Sequence, residues 1–359
     1  MVRKRCLLLG GSNMGGGWLR RIWPTFADRM EIVALVDIKP EVLSDAGDFL
    51  GLPANRRFTD MADAFDQVEA DFCTIAIPPA FHKQAVMHAV RRRMPILSEK
   101  PIADTWESAL EIYRAVKGAG VKMQVVQNYR YNAHMQTFRQ VLRDGNLGRI
   151  NYIMGRFAQD YRVYNSWGAP FRFEIPHALL VEGAVHHFDM LRNLSGGDCA
   201  TLTGYEWNPP WSTSKGEFGN LYVMAMTNGV HACYEGNGTA AGAQNPWRKE
   251  YYRAECESGA VTVSRDEVVR IQRFTRGGSL EEEVVTTLKP DHEGHPWIGR
   301  EFLDWLDGGP EPPTILDDNL KTNAMLFAAI EASRSGTVVN VAAMVDAAVQ
   351  SVSPAAASS

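Results

Sequence analysis

A chain of 359 residues, 45% hydrophobic and 22% charged, has the length and composition of a globular protein with two domains. Its net charge of −5, with no basic stripe, argues against a nucleic-acid partner. No apolar run approaches the roughly 18 residues that span a bilayer, so no membrane partner is expected.

The opening charges Arg3, Lys4 and Arg5 precede only a short apolar run, Cys6–Leu9. That run falls short of the roughly 7–15 residues of a signal-peptide core and reads as a first strand. The five cysteines (Cys6, Cys73, Cys199, Cys233 and Cys256) show no C-x-x-C spacing. Three of them, Cys6, Cys73 and Cys233, lie in strand-like runs. Scattered thiols of this kind fit a reducing, cytoplasmic location. The tail Pro354–Ser359 reads as frayed.

Arg5–Leu9 runs into a glycine turn, Gly10–Gly17, and a helix is expected from Trp18 to Trp23, stopped by Pro24. Strand, glycine turn and helix form the setting in which G-x-G-x-x-G binds a pyrophosphate. Gly10 and Gly15 fit its first and third glycines. Ser12 stands at the second, with Asn13 and Met14 completing the loop. A simple tight turn is the competing reading. Glu31–Asp37 is a second strand that ends in an acid. Asp37 lies 22 positions after Gly15, near the spacing of a carboxylate that binds ribose hydroxyls. It favours NAD over NADP, because a 2′-phosphate would meet like charge, while Lys39 leaves room for NADP. The alternative role for Asp37 is to cap a helix around Glu41–Leu50.

Asp71–Ile77 reads as a buried strand entering the turn Pro78-Pro79, followed by a helix from about His82 to Arg93. Ile77, Pro78 and His82 are candidate cofactor contacts, with His82 read equally as a plain helix start. The short apolar run Pro95–Leu97 then ends in Ser98-Glu99-Lys100-Pro101. Pro101 lacks an N–H and disfavours helix at Lys100, so Lys100 belongs at the carboxyl end of a strand. In open α/β sheets ligands bind there. A lysine so placed can hold a substrate oxygen or relay a proton. The bland alternative is a surface lysine paired with Glu99. A helix capped by Asp104 or Thr105 runs to Gly118. Lys122–Gln127 is a further strand, and Gln127 leads into the polar, aromatic cluster Asn128–Asn132. Strand and helix alternate up to residue 127, which predicts an α/β domain with a doubly wound parallel sheet over 1–127.

From residue 128 to 359 the pattern changes. Ile150–Phe157 alternates like a half-buried strand. Asp160–His177 reads as a long loop whose aromatics, Tyr161, Tyr164, Trp167 and Phe171, suit stacking on sugar rings. Arg162 and Arg172 suit hydroxyls or carboxylates. The alternative is a loop stapled to the core by those aromatics, or an oligomer contact. Leu179–Leu194 reads as a helix. Glu182 and His186, four apart, share a face and form an acid–base pair; Asp189 shares that face, and His187 points about 100° away. A metal is not expected on this helix, because adjacent histidines diverge and no H-E-x-x-H occurs. The competing reading of His186 is a core histidine satisfied by a neighbouring acid.

Strand-like runs follow at Tyr222–Thr227, Val230–Glu235, Tyr251–Glu257, Ala260–Ser264, Val268–Phe274 and Val284–Thr287, separated by turns such as Asn228-Gly229. They predict an α+β domain with an open, mainly antiparallel sheet that can support the site or pair subunits as a homodimer or homotetramer. Helices are expected near Trp297–Leu306 and Asn319–Ser335. His292 and His295 read as solvent-exposed or lid residues.

These residues resemble the glucose–fructose oxidoreductase/inositol dehydrogenase/MocA family over nearly the whole chain. The likeness rests on Gly10–Gly15, Ile77–His82, Glu99-Lys100-Pro101, Asn128–Tyr131, His186-x-x-Asp189 with Gly196, and the segment from Asn319 to Val341. The resemblance implies a Rossmann domain, a C-terminal sheet domain, and NAD(P)-dependent hydride transfer on sugars, cyclitols or related polyols. The family lysine falls on Lys100 and the family histidine on His186. The family aspartate falls on Glu182, one methylene longer, and the intervening glycine on Ala184. The expected cofactor contacts are Gly10, Ser12, Asn13, Met14, Gly15, Asp37, Ile77, Pro78, His82, Glu99, Lys100 and Gln127. The expected substrate contacts are Lys100, Arg130, Tyr131, Tyr161, Trp167, Arg172, His186 and Asp189. In this reading His186 is the proton acceptor, Lys100 steadies the reacting oxygen, Glu182 orients His186 and Glu99 holds Lys100. Two rival readings remain: a glycosidase that oxidises transiently with tightly held NAD, and a non-catalytic sugar or dinucleotide sensor.

Overall fold

The computed structural model describes residues 2–352, so the frayed tail expected at Pro354–Ser359 lies outside the described residues. The chain forms two compact units. The first runs to Asn128 and regains His292–Leu320 and the chain from Ala347; the second holds Tyr129–Asp291 and Lys321–Asp346. A single boundary at 127 and 128 therefore describes only the first passage of the chain.

The first unit is built on six parallel strands: β1 (Lys4–Leu9), β2 (Met30–Val36), β3 (Arg57–Phe58), β4 (Phe72–Ile75), β5 (Ile96–Ser98) and β6 (Met123–Val125). Their order is β3-β2-β1-β4-β5-β6, the dinucleotide-binding arrangement. Cys6 through Leu9 are fully buried, which explains their unbroken apolar run: a parallel sheet is covered on both faces. The strand order reverses between β1 and β4, so the crevice beyond their carboxyl ends is the switch point where ligands bind.

The returning chain explains the first unit's second passage. The outer edge of β6 would expose unpaired backbone groups. Instead Val125 N donates to Thr314 O at 2.9 Å, and Gln124 Nε2 donates to Thr314 Oγ1 at 3.0 Å.

The helix expected from Trp18 begins earlier, at Asn13, with the glycines inside it. It winds on as a π segment over Trp18–Ile22 and a 3₁₀ segment over Trp23–Phe26. Pro24 does not stop it, because it sits in the first turn of the last segment, where a missing N–H leaves no bond unmade. Helices Pro40–Leu50, His82–Arg91 and Trp106–Ala119 lie where the pattern placed them; the short helix Met61–Gln67, capped by Asp60, was not anticipated.

The second unit carries a nine-stranded sheet: β7 (Ile150–Ala158), β8 (Cys199–Trp207), β9 (Gly219–Met226), β10 (His231–Asn237), β11 (Tyr251–Cys256), β12 (Gly259–Val263), β13 (Arg270–Phe274), β14 (Leu280–Val284) and β15 (Val339–Asn340). The order is β14-β13-β12-β11-β7-β10-β9-β8-β15. Only the central pair β7 and β10 is parallel; the other ladders are antiparallel. The sequence missed β8, the helix Ala133–Arg143 and the helix Val341–Gln350, and placed the last long strand at Val284–Thr287 rather than Leu280–Val284. Every residue of β14 is exposed, so its side chains carry no burial alternation to read. The helix expected over Leu179–Leu194 is a π segment, Leu180–Ala184, that becomes α-helical at Val185.

The helix Trp106–Ala119 separates two candidate caps. Thr105 Oγ1 accepts from Ser108 N at 3.1 Å, so Thr105 is the cap. Thr105→Ala is expected to lower stability by about 1 kcal/mol in urea unfolding. Asp104→Ala should leave the midpoint unchanged, and equal losses from both would undo the assignment.

Candidate active site

The glycine turn is closed by contact. Gly10 has φ 98° and a Cβ there would collide with the Ala76 carbonyl. A Cβ on Gly15 would collide with the Gly10 carbonyl. The helix therefore starts against the end of β1, which is the role of the third glycine in the fingerprint. Ser12 and Asn13 are exposed at the turn, and Met14 is half-buried.

Asp37 closes the turn from the end of β2. Its Oδ2 accepts from Gly11 N at 2.9 Å, and its Oδ1 from Lys39 N at 3.0 Å. Lys39, not Asp37, is the N-cap of the next helix, and its side chain makes no capping bond. Asp37 is thus a carboxylate at the dinucleotide crevice and not a helix cap. Gln127 lies past the end of β6, 1% exposed, and neither of its amide atoms has a hydrogen-bond partner among the described residues. A buried amide of this kind ordinarily has a partner. The glycine cradle, the Asp37 carboxylate and the Gln127 amide fit an adenine dinucleotide: Asp37 would take ribose hydroxyls and the turn would take the pyrophosphate.

Lys100 is half-buried just past the carboxyl end of β5, on the same edge as the glycine turn, and the Lys100–Pro101 peptide is cis. Glu99 faces inward at 7% exposure. Trp18 Nε1 donates to its Oε1 at 2.9 Å, and His295 Nε2 lies 3.6 Å from the same oxygen. Burial pushes the Glu99 carboxyl up, but His295, Trp18 and Lys100 together hold it below its ordinary value. Glu99 is therefore a buried anchor tied to Trp18 and His295.

Of the two readings of His295, solvent-exposed or lid, its half-burial disagrees with the first. It sits in the first turn of the helix Gly294–Leu306, half-buried, edge-on to Trp18 at 5.8 Å. His292 is likewise half-buried and edge-on to Phe26 at 5.4 Å.

His82 is also turned inward. It is fully buried, with Nδ1 2.9 Å from the Pro101 carbonyl and Nε2 2.9 Å from the Ile77 carbonyl. The ring bridges the β4 turn and the Glu99–Pro101 turn, donating to one of these carbonyls at a time when neutral, because a neutral imidazole carries a single N–H. Burial lowers its pKa against the pull of those carbonyls. Ile77 is half-buried and Pro78 exposed at the same turn.

In the second unit His186 is 8% exposed on the helix Val185–Ser195. Its ring stacks on Tyr129, with centroids 4.6 Å apart and planes 8° apart. Burial raises the Tyr129 phenol well above its ordinary value, so this platform stays neutral. Tyr129 stood unremarked inside the aromatic cluster after Gln127. His187 points elsewhere: its ring meets the Tyr234 hydroxyl at 2.5 Å and Glu250 at 3.3 Å, and stacks on Phe157 and Trp247. It is the satisfied core histidine of the pair.

The expected substrate residues fall into two groups. Arg130 and Asp189 pair with each other, Nε to Oδ2 at 2.6 Å and Nη2 to Oδ1 at 2.5 Å, with side chains 8% and 1% exposed. Thr322 also donates to Asp189 Oδ1 at 3.0 Å. Both Asp189 oxygens accept from neighbours within the second unit, so the Arg130–Asp189 pair is a buried internal strut as well as a candidate substrate contact. Tyr161 and Trp167 are 2% and 7% exposed and stack on one another at 5.1 Å. Trp247 donates to the Tyr161 hydroxyl and stacks on Trp167. These aromatics staple the loop to the core and are not open platforms for a sugar. Tyr131 is buried, at 5% exposure. Arg172 remains close to the candidate chemistry, because its Nε donates to Glu182 Oε2 at 2.9 Å.

The comparisons agree with this geometry. Residues 4–127 match the GFO/IDH/MocA profile described as an oxidoreductase family with an NAD-binding Rossmann fold, and residues 135–262 match the GFO/IDH/MocA C-terminal domain. This is the class of NAD-binding oxidoreductases. The chain belongs to the GFO/IDH/MocA family. It is 38% identical to protein y4oX of Sinorhizobium fredii over 94% of this chain and 95% of that one. It is 26% identical to the D-apiose dehydrogenase of Rhizobium rhizogenes over 87% of this chain and 91% of that one. Its fold matches an oxidoreductase from Agrobacterium radiobacter, solved with NAD+, L-tartaric acid and magnesium, at a TM-score of 0.83 and 24% identity, over 96% of this chain and 100% of that one. Among the described residues no helix is long and apolar enough to cross a membrane.

Arg130→Met leaves Asp189 charged and buried, and is expected to cost about 3–5 kcal/mol in urea unfolding of the full chain. The double variant Arg130→Met/Asp189→Leu should recover most of that loss. A single variant as stable as the parent would show that the pair is not a strut.

Glu99 gives a pH signature. Its folded pKa lies below its ordinary value of 4.5, so its contribution is complete above that value and is lost as pH falls through the lower folded one. The parent's urea midpoint should therefore drop more steeply below about pH 4 than that of Glu99→Gln. Parallel curves would contradict the assignment.

Proposed function

We propose that this oxidoreductase transfers a hydride between NAD and a secondary hydroxyl carbon of a sugar, cyclitol or related polyol. The observation that carries the reading is Lys100, half-buried at the carboxyl edge of the sheet beside the glycine turn that Asp37 closes. The D-apiose dehydrogenase relative supports the substrate class. Asp37 supports NAD over NADP, since its carboxylate would repel a 2′-phosphate.

The bound dinucleotide would supply the hydride acceptor. The chain's own residues handle the proton and the charge. His186, fixed in plane by Tyr129, accepts the hydroxyl proton. Lys100, on the carboxyl edge of the first unit's sheet, is the donor suited to stabilise negative charge developing on a substrate oxygen. Glu182, on the turn before His186 and steadied by Arg172, orients the imidazole. The outward face of the second unit's sheet exposes Leu221 and Val223, at 51% and 52%, and Tyr205 at 63%. An apolar face of this kind suits pairing with a second copy, and the five free thiols suit a reducing compartment.

The first test is absorbance at the reduced-nicotinamide band with NAD or NADP and a panel of sugars, inositols and glycosides. A substrate-dependent rise with NAD is expected. Glycoside cleavage without accumulated NADH would replace this reading with transient oxidation, and NAD binding without any turnover would replace it with a sensor. His186→Ala and Lys100→Ala should each lose about 10²–10⁴ in kcat while NAD binding survives. Undiminished turnover in either variant would remove that residue from the mechanism. Sedimentation should show a dimer or tetramer that Leu221→Glu/Val223→Glu dissociates, and a parent that is only monomeric would end the pairing proposal.

A further inference from the structure

Three side chains from separate stretches of the second unit converge at the end of the Asp160–His177 loop. His177 ends the Asp160–His177 loop with a left-handed backbone, φ 53°. Glu206 lies on β8, and Glu217 lies two residues before β9. His177 Nδ1 is 2.5 Å from Glu206 Oε1 and 3.5 Å from Glu217 Oε2. The backbone N–H of His177 also donates to Glu217 Oε2 at 2.7 Å. One donor atom from each residue lies within 4.8 Å of the others.

An ion pair between His177 and Glu206 leaves two things unexplained. The Glu206 side chain is only 5% exposed, and its second oxygen, Oε2, is buried with no hydrogen-bond partner among the described residues. A buried carboxylate oxygen ordinarily has a partner, and leaving one without is costly. The cluster also sets two carboxyl groups against one imidazole, so the ring alone cannot balance both when they are ionised. Both features call for more positive charge at a point where nitrogen and oxygen donors meet.

We propose that His177, Glu206 and Glu217 form a binding site for one divalent transition-metal ion, with Zn²⁺ the best match to the donor set. Zn²⁺ takes imidazole nitrogen and carboxylate oxygen at about 2.0–2.2 Å, commonly with three protein ligands and a water. His177 and Glu217 are each 32% exposed, which leaves a fourth position open to solvent. Calcium and magnesium prefer all-oxygen sets, so the imidazole selects against them. The 2.5 Å contact between Nδ1 and Glu206 Oε1 is the proton-sharing form. A metal ion would part these atoms to about 3.3 Å, which side-chain rotation supplies. The bound ion would tie the end of the loop to β8 and to the start of β9. Because Arg172 on this loop holds Glu182, occupancy would also steady the segment leading to His186.

The test uses the full chain after chelator treatment and exhaustive dialysis. Calorimetric titration with ZnCl₂ is expected to show one ion per chain at micromolar Kd or tighter, and Co²⁺ should give the visible bands of a four-coordinate site. Glu206→Gln and Glu217→Gln should each weaken Zn²⁺ by at least about tenfold. His177→Phe should abolish the site, and Zn²⁺ should raise the thermal midpoint of the parent alone. Binding no tighter than on the order of 1 mM overturns the proposal. So does tight binding that survives in the two glutamine variants, which places the ion elsewhere. Should His177→Phe fail to fold, the glutamine variants decide.

Discussion

One close approach organises the first unit. The Gly15 Cα and the Gly10 carbonyl share a space with no room for a side chain. That contact lets the helix begin at Asn13, directly against the end of β1. The helix then carries Trp18 to where its indole reaches Glu99, next to Lys100. Asp37 braces the turn from the other side through Gly11. A methyl group at position 15 would thus push on the helix start, on Trp18 and on the lysine edge together.

The strand and helix alternation of the first 127 residues was legible because parallel strands buried on both faces are apolar throughout, and because glycine and proline punctuate their ends. The carboxyl-edge positions of Gly10, Asp37, Lys100 and Gln127 followed from that alternation alone. Elements whose side chains do not report burial were lost. In β14 all five residues are exposed, and β3 has only two residues. The expected helix over Trp18–Trp23 began late because glycines read as loop until a packing partner is known. The return of Thr314 to the edge of β6 leaves no local pattern at all.

Residue type told what chemistry each side chain could perform, but not what it would be spent on. Arg130 and Asp189 suit a polyol and are used on each other. Tyr161 and Trp167 suit a sugar ring and are stacked together in the core. His82 and Glu99 lie in the expected turns, yet each turns inward to hold backbone or a neighbouring ring. Tyr129 and His295 were given no role of their own, because that role lies in the single residue each one touches, His186 and Glu99. The candidates whose positions follow from strand ends and helix spacing are the glycine turn, Asp37 and Lys100 in the first unit, and Glu182 and His186 in the second.

The pairing of Thr314 with the edge of β6 has a consequence for synthesis. At about 5–20 residues per second, the ribosome completes β6 well before residue 314 emerges. Throughout that interval the nascent sheet has an unpaired edge, and the intervening chain is the whole first passage of the second unit. An open edge invites pairing with the wrong strand. β6 is only three residues long, so it offers little backbone to a chance partner. The first unit is therefore finished only after residue 314 has emerged, and chains cut short within the second unit would leave the ribosome with that edge uncovered.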